Sequence, residues 1–301
     1  MNTDSSGTLQ SIAQCFVDAR LAAAPLRDFP GHVPTDLATA YRIQDAAIAM
    51  WPDEIAGWKI GRVAPEFENQ FGRSRLAGPI FLNSIRPSAG IAPTPFPVFD
   101  GGFAAIEAEY LIVLGEDAAP GKQNWTAEEA RHLIGGIHAG IETAGSPLAS
   151  INSLGPTVVV SDFGNNSGLI LGKAIADWRT RADRDLACWS FIDGNCVGQG
   201  SAADLPGGPI ESLRFVLELS ARRGRPLKKG MLISTGALTG IHEIVAGQKG
   251  RIAFSGGSDM KCVAVAATAT REPSDGEIIA ASKERQGGSA WINPTPGRRA
   301  K

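Results

Sequence analysis

The stretch Phe103-Ala-Ala-Ile-Glu107-Ala-Glu109-Tyr-Leu-Ile-Val-Leu114 decides how this chain is expected to fold. It alternates and then runs apolar up to Gly115, which predicts a buried β-strand. Two glutamates, Glu107 and Glu109, interrupt the apolar run at a spacing of two. Because side chains two apart in a strand emerge on one face, both carboxylates are expected to lie a few ångströms apart in an apolar setting.

A metal ion is one explanation for such a pair, because two like charges so placed repel and a hard divalent cation between them removes the repulsion. The alternative is that the pair faces water on a half-exposed strand. Glu142 favours the metal, since it ends a second predicted strand over residues 137–142 and is expected where that strand gives way to a loop. Three carboxylates, waters and a chelating substrate would suit Mg²⁺ or Mn²⁺. The four histidines have no paired ligand spacing, which argues against zinc.

Composition limits the class of protein. The chain has 301 residues, a formal charge of −2 and 43% hydrophobic residues, which excludes a disordered chain and a nucleic-acid binder that works by bulk positive charge. No stretch approaches the ~20 apolar residues of a membrane span, and the N-terminus lacks a basic signal-like start, so a cytoplasmic protein is expected. The four cysteines form no Cys-x-x-Cys spacing and are expected to be buried, reduced thiols.

The remaining pattern predicts many short strands with a few helices, consistent with 36 glycines and 19 prolines. Helices are predicted over residues 8–23, after a cap at Thr35, after a Thr126/Glu129 capping box and from Pro209. Further strands are predicted over residues 57–62, 157–160, 169–171, 187–192, 196–200, 231–234, 251–254 and 262–267, and residues 78–97 are expected to be irregular. The basic cluster over residues 222–229 is expected to be a solvated helix end.

Six motifs of the chain, taken together, resemble those of a known family. The motifs are Gly57-Trp-Lys-Ile-Gly61, Gln70-Phe-Gly72, Glu107-Ala-Glu109, Ile141-Glu142, Asp162-x-x-Asn165 leading into Leu169-Ile-Leu-Gly172, and Ser234-Thr-Gly-Ala-Leu-Thr-Gly240. In this order they resemble the 2-keto-4-pentenoate hydratase and 4-oxalocrotonate decarboxylase branch of the fumarylacetoacetate hydrolase superfamily. The resemblance spans roughly residues 35 to 268.

The resemblance implies an α+β fold, a fumarylacetoacetate-hydrolase-like mixed β-roll with peripheral helices. The chain is expected to comprise a helical and loop-rich cap (residues 1–100), a metal-binding β-roll core (101–271) and, from its polar composition after Arg271, a flexible tail (272–301). The resemblance also implies a small 2-oxo acid substrate that chelates Mg²⁺ or Mn²⁺, and a homodimer or larger homo-oligomer. No nucleic acid or membrane partner is expected.

Site residues carried over from the family's motifs are Glu107, Glu109 and Glu142 as metal ligands, Lys59 as the catalytic lysine, and Arg62, Asp162, Asn165, Ser234, Thr235 and Gly236 as substrate-binding residues. From the residues alone, a surface lysine is the favoured interpretation of Lys59, and a solvated arginine is an equally good interpretation of Arg62. Beside a metal, the Lys59 ammonium would stabilise charge on the 2-oxo group or shuttle a proton.

The expected activity is a metal-dependent hydratase, a lyase that adds water to an unsaturated 2-oxo acid of the 2-hydroxypenta-2,4-dienoate type. One departure weakens the hydration step: where the family commonly has Asp-Phe-Gly after the lysine segment, this chain reads Leu76-Ala-Gly-Pro-Ile80. The alternatives are a 2-oxo acid decarboxylase or carbon–carbon hydrolase that uses the same metal, and a non-catalytic binder of small acids.

Overall fold

The computed structural model describes residues 3–256 and 258–270, with two β-sheets surrounded by helices. The helices are α1 (Thr3–Ala22), α2 (Leu37–Met50), α3 (Pro65–Phe71), α4 (Ala127–His132), α5 (Pro156–Ser161) and α6 (Gly208–Arg222). The strands are β1 (Ile55–Arg62), β2 (Arg75–Phe81), β3 (Ile85–Pro87), β4 (Thr94–Val98), β5 (Phe103–Leu114), β6 (Ile134–Ser146), β7 (Asn166–Ala174), β8 (Ala187–Ile192), β9 (Asn195–Ser201), β10 (Leu232–Ser234), β11 (His242–Glu243), β12 (Lys249–Phe254) and β13 (Ser258–Ala266). Within the described ranges, no helix is long and apolar enough to cross a membrane.

The larger sheet has eight strands in the order β2-β1-β10-β5-β6-β7-β3, with β11 paired to β5. The smaller sheet has the order β4-β13-β12-β8-β9. The two longest strands, β5 and β6, pair antiparallel from Phe103 opposite Ser146 to Leu114 opposite Ile134, with one irregularity near the end. This long ladder forms the middle of the larger sheet, and it fixes the relative positions of side chains from both strands.

Strand β5 is buried on both faces, but its two faces differ. On one face Ile106, Tyr110 and Ile112 pack into the main hydrophobic core. On the other face Leu111 joins a small separate apolar cluster with Ile80, Leu169 and Leu232, and the two glutamates lie on this same face. The opposing strand leaves room for Leu111 at Gly140, where a Cβ would lie 2.3 Å from a Leu111 methyl carbon.

Several sequence predictions are confirmed. Strand β5 has the predicted bounds. The Thr126/Glu129 capping box begins α4, with each side chain bonded to the other residue's backbone amide. Strands β8 and β9 form the predicted hairpin around Asp193-Gly194, and Pro209 lies in the first turn of α6.

Other local predictions are wrong, each for a reason that is visible in the fold. Residues 78–97 were expected to be irregular, yet Pro79 lies within β2, opposite Trp58. Because β2 is an edge strand, a proline there need not interrupt a ladder. Residues 157–160 form helix α5 instead of a strand, since Pro156 occupies its first turn. The cap of α2 is Asp36, whose carboxylate accepts from the Thr39 amide, and not Thr35.

The cysteine and basic-cluster predictions are only partly right. Among the four free cysteines, Cys188 and Cys262 are buried, whereas Cys15 and Cys196 are exposed. Arg223 is not solvated: its side chain is 9% exposed and binds Asp45 at 2.7 Å. The predicted tail lies outside the described residues. The division of the chain at residue 100 stays a prediction, and β1 and β2 from the first part lie in the same sheet as β5 and β6.

Candidate metal centre and adjoining cavity

Three carboxylates meet on one face of the β5–β6 ladder. Glu107 and Glu109 are two apart on β5, and Glu142 on β6 is the direct cross-strand partner of Glu107. One oxygen from each carboxylate lies within 4.8 Å of the corresponding oxygens of the other two, and all three residues are buried. Glu142 was expected at a strand end but lies inside β6, whose last residue is Ser146. Cross-strand pairing, and not a loop, therefore brings the third carboxylate to the other two.

Each carboxylate keeps one oxygen without a hydrogen-bond partner among the described residues: Oε1 of Glu107, Oε1 of Glu109 and Oε2 of Glu142. Buried polar atoms are almost always paired, so three unpaired acceptors side by side call for an explanation. Hard divalent cations such as Mg²⁺, Mn²⁺ and Ca²⁺ take oxygen ligands of this kind. The donor set therefore fits such a cation, with the unpaired oxygens as the atoms that would bind it.

The other oxygens are held by neighbouring strands. Glu109 Oε2 accepts hydrogen bonds from the Ser234 hydroxyl and, at 2.8 Å, from the Gly236 amide. Glu142 Oε1 accepts one from the Asn166 side-chain amide at 3.1 Å and lies 3.0 Å from Lys59 Nζ. These contacts orient two of the carboxylates and leave one oxygen of each unpaired among the described residues.

The electrostatics of the cluster favour an added cation. Burial, the largest cause, raises the pKa of Glu107 to about 7; Lys59 lowers it and Glu142 raises it further. Burial, Glu142 and Glu107 also raise the pKa of Glu109 well above its usual value. Three buried carboxylates face one ammonium, so without a further positive charge at least one of them tends to hold a proton.

Lys59 is a buried residue of β1 and not a surface lysine, with 4% of its area exposed. Burial alone would lower the pKa of Lys59, but Glu142, Glu107 and Glu109 outweigh it and raise that pKa above its usual value. The ammonium is therefore charged at neutral pH. Lys59 reaches the carboxylates because β10 lies between β1 and β5, with Ser234 directly beside Lys59 in the parallel β1–β10 pair.

A cavity of about 470 Å³ adjoins the carboxylates. Lys59, Glu107, Thr235 and Gly236 contribute to its lining, so the cluster is reached from this cavity. A small acid in the cavity could therefore contact both the ammonium and a cation held by the carboxylates. Pockets of this volume are usual for small-molecule ligands.

Four of the six predicted substrate-binding residues line the cavity, and Ser234 and Asp162 do not. Thr235 and Gly236 line the cavity, but the Thr235 hydroxyl donates to the Tyr110 carbonyl at 2.7 Å. Ser234 and the Gly236 amide bind Glu109, so this segment orients a carboxylate of the chain where contact with the substrate carboxylate was expected. Arg62 lines the cavity with its side chain 60% exposed, 3.9 Å from a Glu68 oxygen.

Asn165 lines the cavity, where its side-chain amide donates to Asn152 Oδ1 at 3.2 Å. Asp162 does not line it: its carboxylate is buried against Arg20 Nε at 2.6 Å and accepts from the Ser146 hydroxyl at 2.6 Å. The expected contact between Asp162 and a substrate is thus replaced by an internal ion pair, because α1 brings Arg20 to this carboxylate.

Two residues of this region were missed from the sequence. Asn166 binds Glu142, and its position directly after Asn165 in the quoted motif was the available signal. Arg20 donates to the carbonyl oxygens of Asn166 and Gly145 at 3.1 and 2.9 Å, in addition to binding Asp162. Nothing in the local sequence of α1 distinguishes Arg20, since its partners lie more than 120 residues away.

Solved structures share this fold. The chain superposes on 4-oxalocrotonate decarboxylase from Pseudomonas putida G7, complexed with magnesium and adipate, with a TM-score of 0.72 and 20% identity over 86% of this chain and 98% of that one. Fumarylpyruvate hydrolase from Pseudomonas aeruginosa, in complex with Mn²⁺ and pyruvate, gives a TM-score of 0.51 and 15% identity over 70% and 89% of the two chains. These neighbours confirm the α+β, fumarylacetoacetate-hydrolase-like fold.

Two sequence relatives are named as hydratases. The chain is 26% identical over 250 residues to the TodF product hydratase of Pseudomonas putida, covering 79% of this chain and 88% of that protein. It is 27% identical over 229 residues to the 2-keto-4-pentenoate hydratase of Paraburkholderia phymatum, covering 73% and 82%. No protein-family model matches the chain.

The chain has a fumarylacetoacetate-hydrolase-like fold, in which three buried carboxylates converge. Its sequence relatives and structural neighbours confirm the resemblance predicted from the motifs, which is to the 2-keto-4-pentenoate hydratases and 4-oxalocrotonate decarboxylase.

Proposed function

We propose that this protein is a divalent-metal-dependent hydratase, a lyase that adds water to an unsaturated 2-oxo acid of the 2-hydroxypenta-2,4-dienoate type. One observation carries the proposal: three buried carboxylates, each with an oxygen that has no partner among the described residues, converge next to a charged, buried lysine. The sequence relatives named as hydratases support this reaction, whereas the decarboxylase, at 20% identity, supports the fold.

Glu107, Glu109 and Glu142 would hold the cation, which we propose to be Mg²⁺ or Mn²⁺. When bound, the cation would supply Lewis acidity toward a substrate that chelates it through its carboxylate and 2-oxo oxygens. The magnesium, calcium and Mn²⁺ ions of the related structures support a divalent cation at this site. The remaining oxygens of Glu109 and Glu142 stay bound to Ser234 and Asn166, which keep the carboxylates in place.

Lys59 would act on the substrate directly. Its ammonium is charged, buried and open to the cavity, so it can stabilise negative charge on the 2-oxo oxygen as the dienol changes to its keto form. In the same position it can pass a proton to the carbon skeleton. General acid–base groups of this kind contribute about 10²- to 10⁴-fold to a rate.

Loss of the dienol chromophore tests the activity. With Mg²⁺ or Mn²⁺ we expect the ultraviolet absorbance of 2-hydroxypenta-2,4-dienoate to fall, and a chelator to stop the loss. Release of CO₂ from an unsaturated 2-oxo dicarboxylic acid would instead indicate the decarboxylase, and cleavage of a 1,3-dicarbonyl compound the hydrolase. Stabilisation by substrate analogues without turnover of any of these compounds would contradict an enzyme and favour a binder.

We further propose a homodimer or larger homo-oligomer in the cytoplasm, without nucleic acid or membrane partners, as the family resemblance implies. Light scattering on the eluting protein tests the first part, since a monomer at micromolar concentration would contradict it.

A further inference from the structure

We propose that the cavity selects 2-oxo acids whose far end is apolar and extends beyond five carbons, in preference to acids that carry a second carboxylate there. This inference rests on the proposed function, since it assumes that the 2-oxo acid end binds at Lys59 and the carboxylates. It deepens that function by naming the part of the substrate that the rest of the cavity contacts.

Besides polar residues such as Ser74, Asn152 and Asp204, several apolar side chains line the cavity. These are Phe67, Leu76, Pro156, Val159, Leu205 and Ile241. They come from five separate parts of the chain, so the apolar surface is assembled by the tertiary fold. Burial of apolar ligand surface against such a wall is favourable in proportion to the area covered.

The apolar wall begins directly beside the polar end. Leu76 faces Gly61 across the β1–β2 pair, and its Cδ1 lies 3.0 Å from where a Gly61 Cβ would be. The same position is 3.8 Å from Lys59 Nζ. On another wall, Leu205 Cδ2 lies 3.1 Å from where a Gly236 Cβ would be. Two leucine side chains therefore border the cavity close to its polar end.

Phe67 closes a further part of the wall from the short helix α3. Its ring lies 3.5 Å from where a Gly155 Cβ would be, and it packs on a small apolar cluster that contains Val63, Leu76 and Val160. The next aromatic residue of α3, Phe71, has its ring centroid 6.3 Å from that of Phe67 and does not line the cavity. The two phenylalanines therefore form a matched pair, one inside the proposed binding surface and one outside it.

The two arginines that line the cavity each have a contact within the described part of the chain. Arg62 and Arg75 are direct cross-strand partners, and both line the cavity. Arg75 donates to the Pro206 carbonyl, and Arg62 is largely exposed, 3.9 Å from the Glu68 carboxylate. Burial, the largest cause, lowers the pKa of Arg75 although Glu211 raises it. Both arginines thus already have partners belonging to the chain, unlike the unpaired oxygens of the metal cluster.

The volume of the cavity also favours a substrate longer than five carbons. The five-carbon dienoate has eight non-hydrogen atoms, whereas the cavity volume of about 470 Å³ lies within the ~300–1,000 Å³ of pockets that take drug-sized ligands. Part of the remaining space is bordered by the apolar wall. A longer apolar chain would fill that space without burying an unpaired charge.

Calorimetric titration of the full-length protein in saturating Mg²⁺ tests the inference without requiring turnover. The ligands are pyruvate, 2-oxobutanoate, 2-oxohexanoate, 2-oxooctanoate and 2-oxoadipate. We expect affinity to rise about fourfold for each added methylene, the equivalent of ~0.8 kcal/mol per buried CH₂, up to at least 2-oxohexanoate. 2-Oxoadipate has the same chain length as 2-oxohexanoate and differs only by its terminal carboxylate, so we expect it to bind at least tenfold more weakly.

Equal affinity for pyruvate and 2-oxohexanoate would overturn the inference, as would tighter binding of 2-oxoadipate than of 2-oxohexanoate. Both results leave the proposed function intact, because pyruvate would still bind with Mg²⁺. Failure of pyruvate itself to bind would overturn the proposed site and this inference with it.

Variants locate the effect on the proposed wall. Phe67→Ala and Leu205→Ala, from different walls, should each reduce the ratio of 2-oxohexanoate to pyruvate affinity at least threefold. Phe71→Ala, the matched control on the same helix, should leave that ratio unchanged. Retention of the wild-type ratio in both wall variants, or an equal loss in Phe71→Ala, would overturn the assignment.

Discussion

Two buried polar clusters lie side by side in this molecule, and they differ in how completely their charges are paired. In the first, the carboxylate cluster of Glu107, Glu109, Glu142 and Lys59, three carboxylates share one ammonium and keep three oxygens unpaired within the described part of the chain. The second, the arginine cluster, is built on the Arg20–Asp162 ion pair, in which both carboxylate oxygens of Asp162 are bound. One cluster has spare ligand atoms and excess negative charge, and the other has neither.

The difference separates a candidate ligand site from a structural ion pair. A buried carboxylate with all its acceptors paired stabilises the fold around it, whereas unpaired acceptors with excess charge have a cost that a bound cation removes. Asn166 connects the two clusters: its carbonyl accepts from Arg20, and its side-chain amide donates to Glu142. The arginine cluster therefore supports the position of one proposed metal ligand.

The largest expected effect is on the carboxylate cluster. Glu109→Gln keeps the shape of the side chain but removes a charged ligand, so turnover should fall more than about 100-fold, beyond the 10- to 100-fold typical of supporting residues. The melting temperature of the metal-free protein should stay equal or rise, because like-charge repulsion is relieved. Steady-state kinetics and thermal unfolding measure both. Glu116→Gln, an exposed glutamate just past the end of β5, is the control and should change neither.

Lys59→Met should lower kcat by about 10²- to 10⁴-fold, as expected for loss of a general acid–base or charge-stabilising group. Mn²⁺ affinity should be retained or increased, since Glu142 loses its only ammonium partner among the described residues and the cluster becomes more negative. A Mn²⁺ titration, run beside the kinetic assay, measures the change in metal affinity separately from the change in kcat. Unchanged kcat, or loss of Mn²⁺ binding together with kcat, would contradict the assignment of Lys59 to the substrate.

Arg20→Met tests the arginine cluster. Leaving the Asp162 carboxylate buried without its partner should lower the free energy of unfolding by about 3–5 kcal/mol. Metal affinity should fall about tenfold, because Asn166 loses a support. Arg223→Met is the matched control: the Arg223 side chain, 9% exposed, is also ion-paired, to Asp45, but none of its described contacts is with the three glutamates. It should lower stability and leave metal affinity unchanged, and equal effects on metal affinity would refute the link through Asn166.

The smallest effect is in the pH dependence. Because the pKa of Glu107 is raised to about 7 in the folded protein, the folded state holds a proton that the unfolded state releases near pH 4.5. Stability of the metal-free protein should therefore fall as pH rises from about 4.5 through 7. A cation must displace this proton, so the rise in melting temperature with Mg²⁺ should grow over the same range. Thermal unfolding at pH 5, 6, 7 and 8 measures both, and a metal-induced rise that shrinks with pH would contradict the assignment.

The sequence predicted the features that depend on one strand alone, and it missed those that depend on how distant strands pair. The Glu107/Glu109 pair was predictable because two residues of one strand share a face whatever that strand pairs with. That Glu142 lies opposite Glu107 depends on the register of β5 and β6, which no short stretch encodes. Glu142 was expected at a strand end because the sequence does not show that β6 continues to Ser146 in its pairing with β5.

Asp162 shows the converse. From the sequence, Asp162 is as good a candidate for a site residue as the glutamates are. Only the structure shows that its carboxylate is paired with the distant Arg20. Pro79 was placed in an irregular segment because the sequence does not show that β2 is an edge strand. The motif around Lys59 does not show whether its side chain faces solvent. Its burial depends on the sheet, which is formed by strands distant in sequence.

A Mn²⁺ titration followed by electron paramagnetic resonance tests the central claim most directly, using wild type, Glu107→Gln, Glu109→Gln, Glu142→Gln and Asp162→Asn. The account predicts one Mn²⁺ per wild-type chain, loss of that binding in each glutamate variant, and retention in whatever fraction of Asp162→Asn is folded. Wild-type stoichiometry and affinity in all three glutamate variants would contradict it, because the cation would then bind somewhere other than the paired face of β5 and β6.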